Sequence, residues 1–181
     1  PTGIGTVNVG IVTASTRLDI GVGGTIFKAN SSGTVGINTV TVRTGANIDL
    51  EGRTRLGAYF EAVQAVTSSS GRVSLDVSKF QNFTITTTEN ITSFDLINCP
   101  PSGSFSFTIA ITQDATTART VSIDTFTYST SSSSGLSSPV KWSGGVVPTV
   151  TNSAGVSDIY SFVTFDGGLN LYGIVGGQNF S

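Results

Sequence analysis

The sequence predicts an all-β protein, because side chains alternate along short segments, turn residues separate those segments and a helical period is missing. Residues 104–111 show the alternation best, since Phe105, Phe107, Ile109 and Ile111 fall on one side of an extended chain. Gly, Asn, Pro and Ser punctuate the apolar runs, and no stretch sustains a period of 3.6 residues. We expect a slender N-terminal β-structured shaft followed by an antiparallel β-sandwich or jelly-roll-like domain.

The composition favours a folded chain over a disordered one. Charged residues make up 11% of the 181 residues, against roughly 25% in ordinary globular proteins. The hydrophobic fraction is nevertheless 38%, with 11 Phe and 4 Tyr, and a disordered chain would lack those aromatic residues. Because the chain holds no Met, even at position 1, we expect a processed product or the ordered part of a longer chain.

Aromatic residues mark a boundary between residues 58 and 59. The first part, 1–58, holds only Phe27, and the second, 59–181, holds the other fifteen aromatic residues. A 58-residue segment with one aromatic side chain cannot bury enough surface to offset its ordering entropy. We therefore expect 1–58 to be a shaft and oligomerisation segment whose core is shared by identical chains, with threefold symmetry, and 59–181 to be a tip domain. The alternative is an irregular linker that is merely rich in Thr.

Short segments that read as a turn followed by a strand recur in the first part. Val, Ile and Thr alternate there with small or polar residues after a Gly or Asn. These segments are 5–9, 24–28, 33–37 and 38–42. Their irregular spacing excludes a strict solenoid.

The second part predicts strands separated by turns throughout. The candidate strands are 59–66, 71–77, 80–88, 91–97, 104–113, 119–128, 140–143, 146–151, 158–165 and 169–175. A break at Asp124 and Thr125 indicates a bulge or bend. The clearest hairpin signal is 165–169, where Asp166 is followed by two Gly between apolar runs.

Several kinds of chemistry are excluded or disfavoured by missing residue types. The chain has no His, which removes the usual general base and the commonest metal ligand. Its lone Cys99 cannot form an intrachain disulfide or a zinc site. Nine basic residues against eleven acidic ones, with no basic cluster, disfavour nucleic-acid binding. No run is long and apolar enough for a membrane span. We expect no cofactor, no metal and no catalytic residue.

Two pairs of carboxylates are the remaining route to catalysis. Asp114 and Asp124 lie at opposite ends of neighbouring candidate strands, and Asp158 and Asp166 bracket another. Two acids at a suitable separation suffice to hydrolyse a glycosidic bond. Ordinary turn-forming Asp residues explain Asp114 and Asp166 equally well. A glycan-cleaving enzyme is therefore the weakest of the functions considered.

Three aromatic residues with a polar tip are candidates for glycan or receptor contact. They are Trp142, Tyr128 and Tyr172, whose flat faces could stack on sugar rings. Their other interpretation is a structural one, in the core or at the rim of the sandwich. Trp142 is expected to lie near Phe162 and Tyr172 in a closing aromatic cluster.

The C-terminal forty residues carry a combination of uncommon residues. Trp142 with Gly144 and Gly145, then Pro148-Thr149, then Asp158 with Phe162, then Asp166-Gly167-Gly168, then Tyr172-Gly173 and finally Phe180 follow one another in order. This order resembles the C-terminal module of tailed-phage virion proteins, the tail-fibre or appendage proteins of cyanophage-like viruses. Segments 10–15 and 34–38 are similar to the fibre-shaft repeats of that group.

The resemblance implies a structural virion protein, a homotrimeric fibre or tail appendage that contacts the host surface and is not an enzyme. Its expected partners are other copies of itself, other virion proteins and a host-surface glycan or protein, without nucleic acid or membrane insertion. The expected location is the virion, as a tail or capsid appendage. A capsid decoration or head-fibre protein of the same virion class is the alternative.

Overall fold

A computed structural model of the chain describes residues 35–37, 48–50, 58–130 and 133–181. The chain divides into two compact units, Pro1–Ala58 and Tyr59–Ser181. In the first unit, β1 (Val35–Ile37) and β2 (Ile48–Leu50) pair in parallel. Strand β1 falls within the segment 33–37 that the sequence predicts as turn and strand. The other three such segments, 5–9, 24–28 and 38–42, lie outside the described residues.

The regular secondary structure described in the second unit consists of ten strands and one 3-10 turn, which confirms the all-β prediction. The 3-10 turn, at Ser143–Gly145, follows the eighth of these strands. The strands are β3 (Val63–Val66), β4 (Ser68–Ser69), β5 (Arg72–Asp76), β6 (Asn82–Thr86), β7 (Ser93–Cys99), β8 (Phe105–Thr112), β9 (Thr125–Thr130), β10 (Leu136–Trp142), β11 (Ser157–Thr164) and β12 (Leu171–Phe180).

These ten strands form one sheet that is nearly closed and barrel-like. Their order is β3-β6-β8-β11-β12-β10-β9-β7-β5-β4. The two end strands, β3 and β4, are separated along the chain only by Thr67, so the two ends of the sheet come together. Strand β10 joins the two halves, because residues 136–139 pair with β9 and residues 140–142 pair with β12.

The predicted antiparallel arrangement is wrong for five of the nine strand pairings in this sheet. The parallel pairs are β3–β6, β6–β8, β5–β7, β7–β9 and β10–β12. From β5 to β9, successive strands alternate between the two halves of the sheet. Parallel neighbours need a crossover connection. In four of the five pairs the crossover contains a strand of the opposite half, and in β10–β12 it contains β11, the other neighbour of β12. The alternation of side chains along one strand does not show whether its neighbours run parallel or antiparallel to it.

Aromatic rings fill the centre of the core and join the two halves. The Phe107 and Phe162 ring centroids are 5.0 Å apart, and those of Phe126 and Phe162 are 4.9 Å apart. Phe94 stacks on Phe126 at 5.2 Å. The predicted inward face of β8 is confirmed at Phe107, Ile109 and Ile111, which are buried, while Phe105 is half-buried.

Two predicted strands are shorter or missing because their backbones find other partners. The segment 146–151 forms no strand; instead, the Gln178 side chain donates to the Thr149 carbonyl and the Thr151 N–H donates to Asp158. Within 119–128, the strand begins only at Thr125, after the predicted bend at Asp124.

Candidate interaction surface

The turn between β11 and β12 is fixed by its own side chains. The Thr164 hydroxyl donates to Asp166 Oδ1 at 2.9 Å and accepts the Gly168 N–H at 3.0 Å. Both the backbone and the side-chain amide of Asn170 donate to the Asp166 carboxylate. These bonds from Asn170 lower the pKa of Asp166. The hairpin predicted at 165–169 is therefore present and rigidly tied.

The first of the two glycines in this turn, Gly167, cannot be replaced by a residue with a side chain. Gly167 has φ of 75°, and a Cβ there would lie 2.6 Å from the Pro100 carbonyl oxygen. The close approach docks the hairpin against the loop that follows β7, and the Gly167 N–H donates to the Gly103 carbonyl.

The outward face of β12 carries large apolar side chains next to this turn. We call Phe165, Tyr172 and Ile174, together with Lys141 and Val163, the β12 outer face. Phe165, Tyr172 and Ile174 are 67%, 40% and 57% exposed. Tyr172 lies opposite Val163 on one neighbouring strand and opposite Lys141 on the other. The face is thus one continuous patch across three strands.

The aromatic part of the β12 outer face has a defined geometry. The Phe165 and Tyr172 rings meet edge to face with centroids 6.0 Å apart. Lys141 Nζ lies 5.4 Å from the Tyr172 ring centroid, within the range of a cation–π contact. The patch therefore combines apolar area with one positive charge.

The three aromatic residues predicted to contact a glycan lie in different environments. Tyr128 and Trp142 are each only 8% exposed and belong to the core, whereas Tyr172 lies on the β12 outer face. The faces of the first two rings are largely covered, so Tyr172 offers the most accessible ring of the three. Glycan contact itself stays a prediction.

The predicted cluster of Trp142, Phe162 and Tyr172 is only partly formed. Trp142 meets Phe162 and Tyr160 at centroid distances of 5.7 and 6.0 Å. Tyr172 points away from them, because it sits on the exposed face of β12 while Gly173, its neighbour, faces Trp142. Tyr160 takes the place that the sequence interpretation gave to Tyr172.

A buried carboxylate holds the C-terminal end of β12 in place. Asp158 accepts hydrogen bonds from the backbone N–H groups of Thr151 and Asn179 at 2.7 and 2.8 Å. The Tyr160 hydroxyl and the Gln178 amide also donate to it, at 2.9 and 3.1 Å. Burial by itself raises the pKa of Asp158, but these hydrogen bonds outweigh it and leave the pKa below its usual value.

Three of the four carboxylates in the two predicted pairs accept hydrogen bonds that hold local structure, and the fourth is exposed. Asp114 caps its own turn by accepting from the Thr116 and Thr117 N–H groups. Asp158 is buried in the network above, Asp166 closes the hairpin, and Asp124 is exposed. Over the described ranges, no group of three or more His, Cys, Asp or Glu side chains could hold a metal ion. Cys99 is buried.

Sequence reasoning missed most of the β12 outer face. The segment 171–175 reads Leu-Tyr-Gly-Ile-Val, with apolar side chains on both sides of an extended strand. A strand that is apolar on both faces is typical of one covered on both, and that pattern is the signal that could have found this surface.

The part of the chain that the structure describes contains no helix long and apolar enough to cross a membrane. No protein-family model, curated protein or solved structure matches the chain. Its class is therefore defined by the fold and this surface alone: an all-β domain with an exposed apolar face.

Proposed function

We propose that the chain is a structural component of a phage virion, a homotrimeric fibre or tail appendage that meets the host surface. In this proposal, residues 1–58 form the slender β-structured shaft and residues 59–181 form a sandwich-like tip domain. The observation that carries the proposal is the β12 outer face, which is apolar, continuous and exposed in the single chain.

An exposed apolar patch next to a rigid turn favours association with another protein surface. Contiguous apolar patches on soluble proteins mark interaction sites more often than chance. The opposite face of β12 packs on the core through Leu171, so exposing Tyr172 and Ile174 is not needed to fold the domain. Covering them by a neighbouring chain would remove that apolar area from water.

The composition of the first unit supports the same assembly. With Phe27 as its only aromatic residue, the segment 1–58 gains most of its stability by sharing a core with sister chains. Low charge suits close packing of identical chains, because like charges at equivalent positions would repel one another.

Sedimentation of the full chain tests the oligomeric state. We expect a trimer of the 18.6 kDa chain. Substituting Ile174→Lys should shift the equilibrium toward the monomer by placing a charge in the proposed contact. Val146→Lys is the matched control, because Val146 is 72% exposed and lies outside the β12 outer face. A monomeric wild-type chain would contradict the proposal.

Electron microscopy of phage particles labelled with an antibody to this chain tests the location. Label on the tail or its appendages supports the assignment, and label on the capsid favours the alternative of a decoration or head-fibre protein. Particles that carry no label anywhere would end the virion proposal.

A further inference from the structure

A groove of about 440 Å³ runs between two extended segments that belong to no strand. One wall is the segment 119–124, and the other is the segment 147–150. Along the first wall, exposed side chains alternate with half-buried ones and with the buried Ile123, as they do in a strand. At about 3.3 Å per residue, six residues give this wall a length of roughly 20 Å.

The first wall turns unpaired backbone groups toward the groove. The Thr120 carbonyl and the Ser122 N–H bond to Ile91 on the far side. Successive residues of an extended chain direct their backbone groups to opposite edges, so those of Val121 and Ile123 point into the groove. Within residues 58–130 and 133–181, neither residue's N–H or C=O has a hydrogen-bond partner on that edge.

The second wall has the same alternation. The Thr149 carbonyl accepts from Gln178, and the Thr151 N–H donates to Asp158. The backbone groups of Val150, between them, therefore face the opposite edge. At the Arg119 end of the groove, the Gln113 side chain bonds the Arg119 backbone and the Thr151 carbonyl and so bridges the two walls. Val150 and Ile123 bury their side chains in the core, so the groove lies in the plane of the sheet wall, like the place of a missing strand.

The first wall carries a positively charged residue at one end and a negatively charged residue at the other. Arg119 begins it, and its Nε is buried without a hydrogen-bond partner among the described residues. Asp114 feels the charge of Arg119 but forms no salt bridge with it. Asp124 ends the wall and is exposed.

We propose that this groove binds an extended peptide segment of another protein by adding it as a strand along residues 120–124. The peptide carries an acidic side chain beside Arg119 and a basic one beside Asp124. Main-chain hydrogen bonds to an open strand edge supply affinity in this mode of recognition, and side chains supply selectivity. The residues that line the groove include no aromatic ring, which favours a peptide over a stacked sugar.

Amide hydrogen exchange in the full chain tests the proposal, with the synthetic peptide ETVTVK, blocked at both ends, as the probe. At millimolar peptide, the N–H groups of Val121 and Ile123 should exchange more slowly, while the Ser122 N–H, already bonded to Ile91, should change little. The same peptide N-methylated at every Val and Thr should give no protection. Absence of protection by ETVTVK, or equal protection by the methylated peptide, overturns the proposal.

Charge variants test the ends of the groove. Arg119→Gln should weaken ETVTVK binding about tenfold, as expected for the loss of a charge-assisted hydrogen bond. Lys79→Gln is the control, because Lys79 lies outside the groove. Arg119→Glu should instead bind KTVTVK better than ETVTVK.

Two further measurements distinguish other occupants of the groove. If maltohexaose alone protects the N–H groups of Val121 and Ile123, the groove binds a glycan. If their protection rises with protein concentration alone, the groove binds a second copy of the chain. Either result overturns the proposal.

Discussion

The indole ring of Trp142 covers Gly173 on the neighbouring strand. A Cβ on Gly173 would lie 2.5 Å from Trp142 Cζ3 and 2.6 Å from Cη2. The absence of a side chain on β12 is therefore what lets Trp142 reach Tyr160 and Phe162 in the core. A tryptophan on β10 and a glycine on β12 together set the spacing at the point where the two halves of the sheet are joined.

Substituting Gly173→Ala should destabilise the second unit by about 1–3 kcal/mol, the usual cost of overpacking a core. Because Trp142 is the only Trp in the chain, its fluorescence should change as the ring is displaced. Chemical denaturation followed by fluorescence measures both effects. Gly176→Ala is the control on the same strand, since its Cβ would meet Ile159 at 3.2 Å, and it should cost less. A Gly173→Ala protein as stable as the wild type would contradict this.

The Asp158 network should make stability depend on acid pH. The folded-state pKa of Asp158 is lowered, so its contribution is present above the unfolded-state pKa of about 3.9 and is lost as pH falls through the folded-state value. Asp158→Asn should cost about 2 kcal/mol at pH 7, and that difference from the wild type should narrow below about pH 4.

Thermal unfolding from pH 7 to pH 3 measures this linkage. Asp124→Asn is the control, because Asp124 is exposed and outside the network; it should leave the stability close to that of the wild type. If the stability difference between wild type and Asp158→Asn stays constant from pH 7 to pH 3, the charge of the Asp158 carboxylate does not stabilise the folded protein, and the prediction is wrong.

The Tyr160 hydroxyl should contribute to stability without ionising. It donates to Asp158 at 2.9 Å and accepts from Gln178 at 2.7 Å, so Tyr160→Phe should cost about 1–2 kcal/mol. Burial, followed by the hydrogen bond and charge of Asp158, raises the pKa of Tyr160 far above its usual value. An ultraviolet titration of the folded protein should therefore give equal tyrosinate absorbance for wild type and variant up to about pH 11. One extra tyrosinate in the wild type would refute this.

The Cys99 thiol should be almost inert in the folded protein. It is 3% exposed, and burial raises its pKa to about 11. Since the thiolate is the reactive form, iodoacetamide at pH 8 should modify the native chain more than about a hundredfold more slowly than the chain in denaturant. Mass spectrometry over time measures both rates. Comparable rates would mean that the thiol is open to solvent.

The sequence predicted the strand faces well because burial alternates residue by residue. The inward set of β8, the bend at Asp124 and the hairpin at 165–169 all follow from local patterns of apolar, turn and glycine residues. These features depend on a few neighbouring positions, which a single sequence displays directly.

Strand partners and surfaces were harder to predict, because they depend on residues far apart. The parallel pairing of Arg72 with Ser93 requires a strand of the other half between them. Residues 146–151 are predicted as a strand, but their backbone is held instead by the side chains of Gln178 and Asp158. The sequence predicts Tyr172 in a closing aromatic cluster with Trp142 and Phe162, because the sequence does not show to which side of β12 its ring points.

The alternating path of the chain has a consequence for how the second unit forms. Its parallel ladders join residues 21 positions apart at Arg72 and Ser93, and 32 apart at Phe94 and Phe126, so no ladder of this kind can close early from a local hairpin. Chains dominated by such distant pairings fold on timescales of roughly milliseconds to seconds. If the chain were cut between β6 and β7, each fragment would contain strands from both halves of the sheet, and neither fragment would contain all the strands of either half.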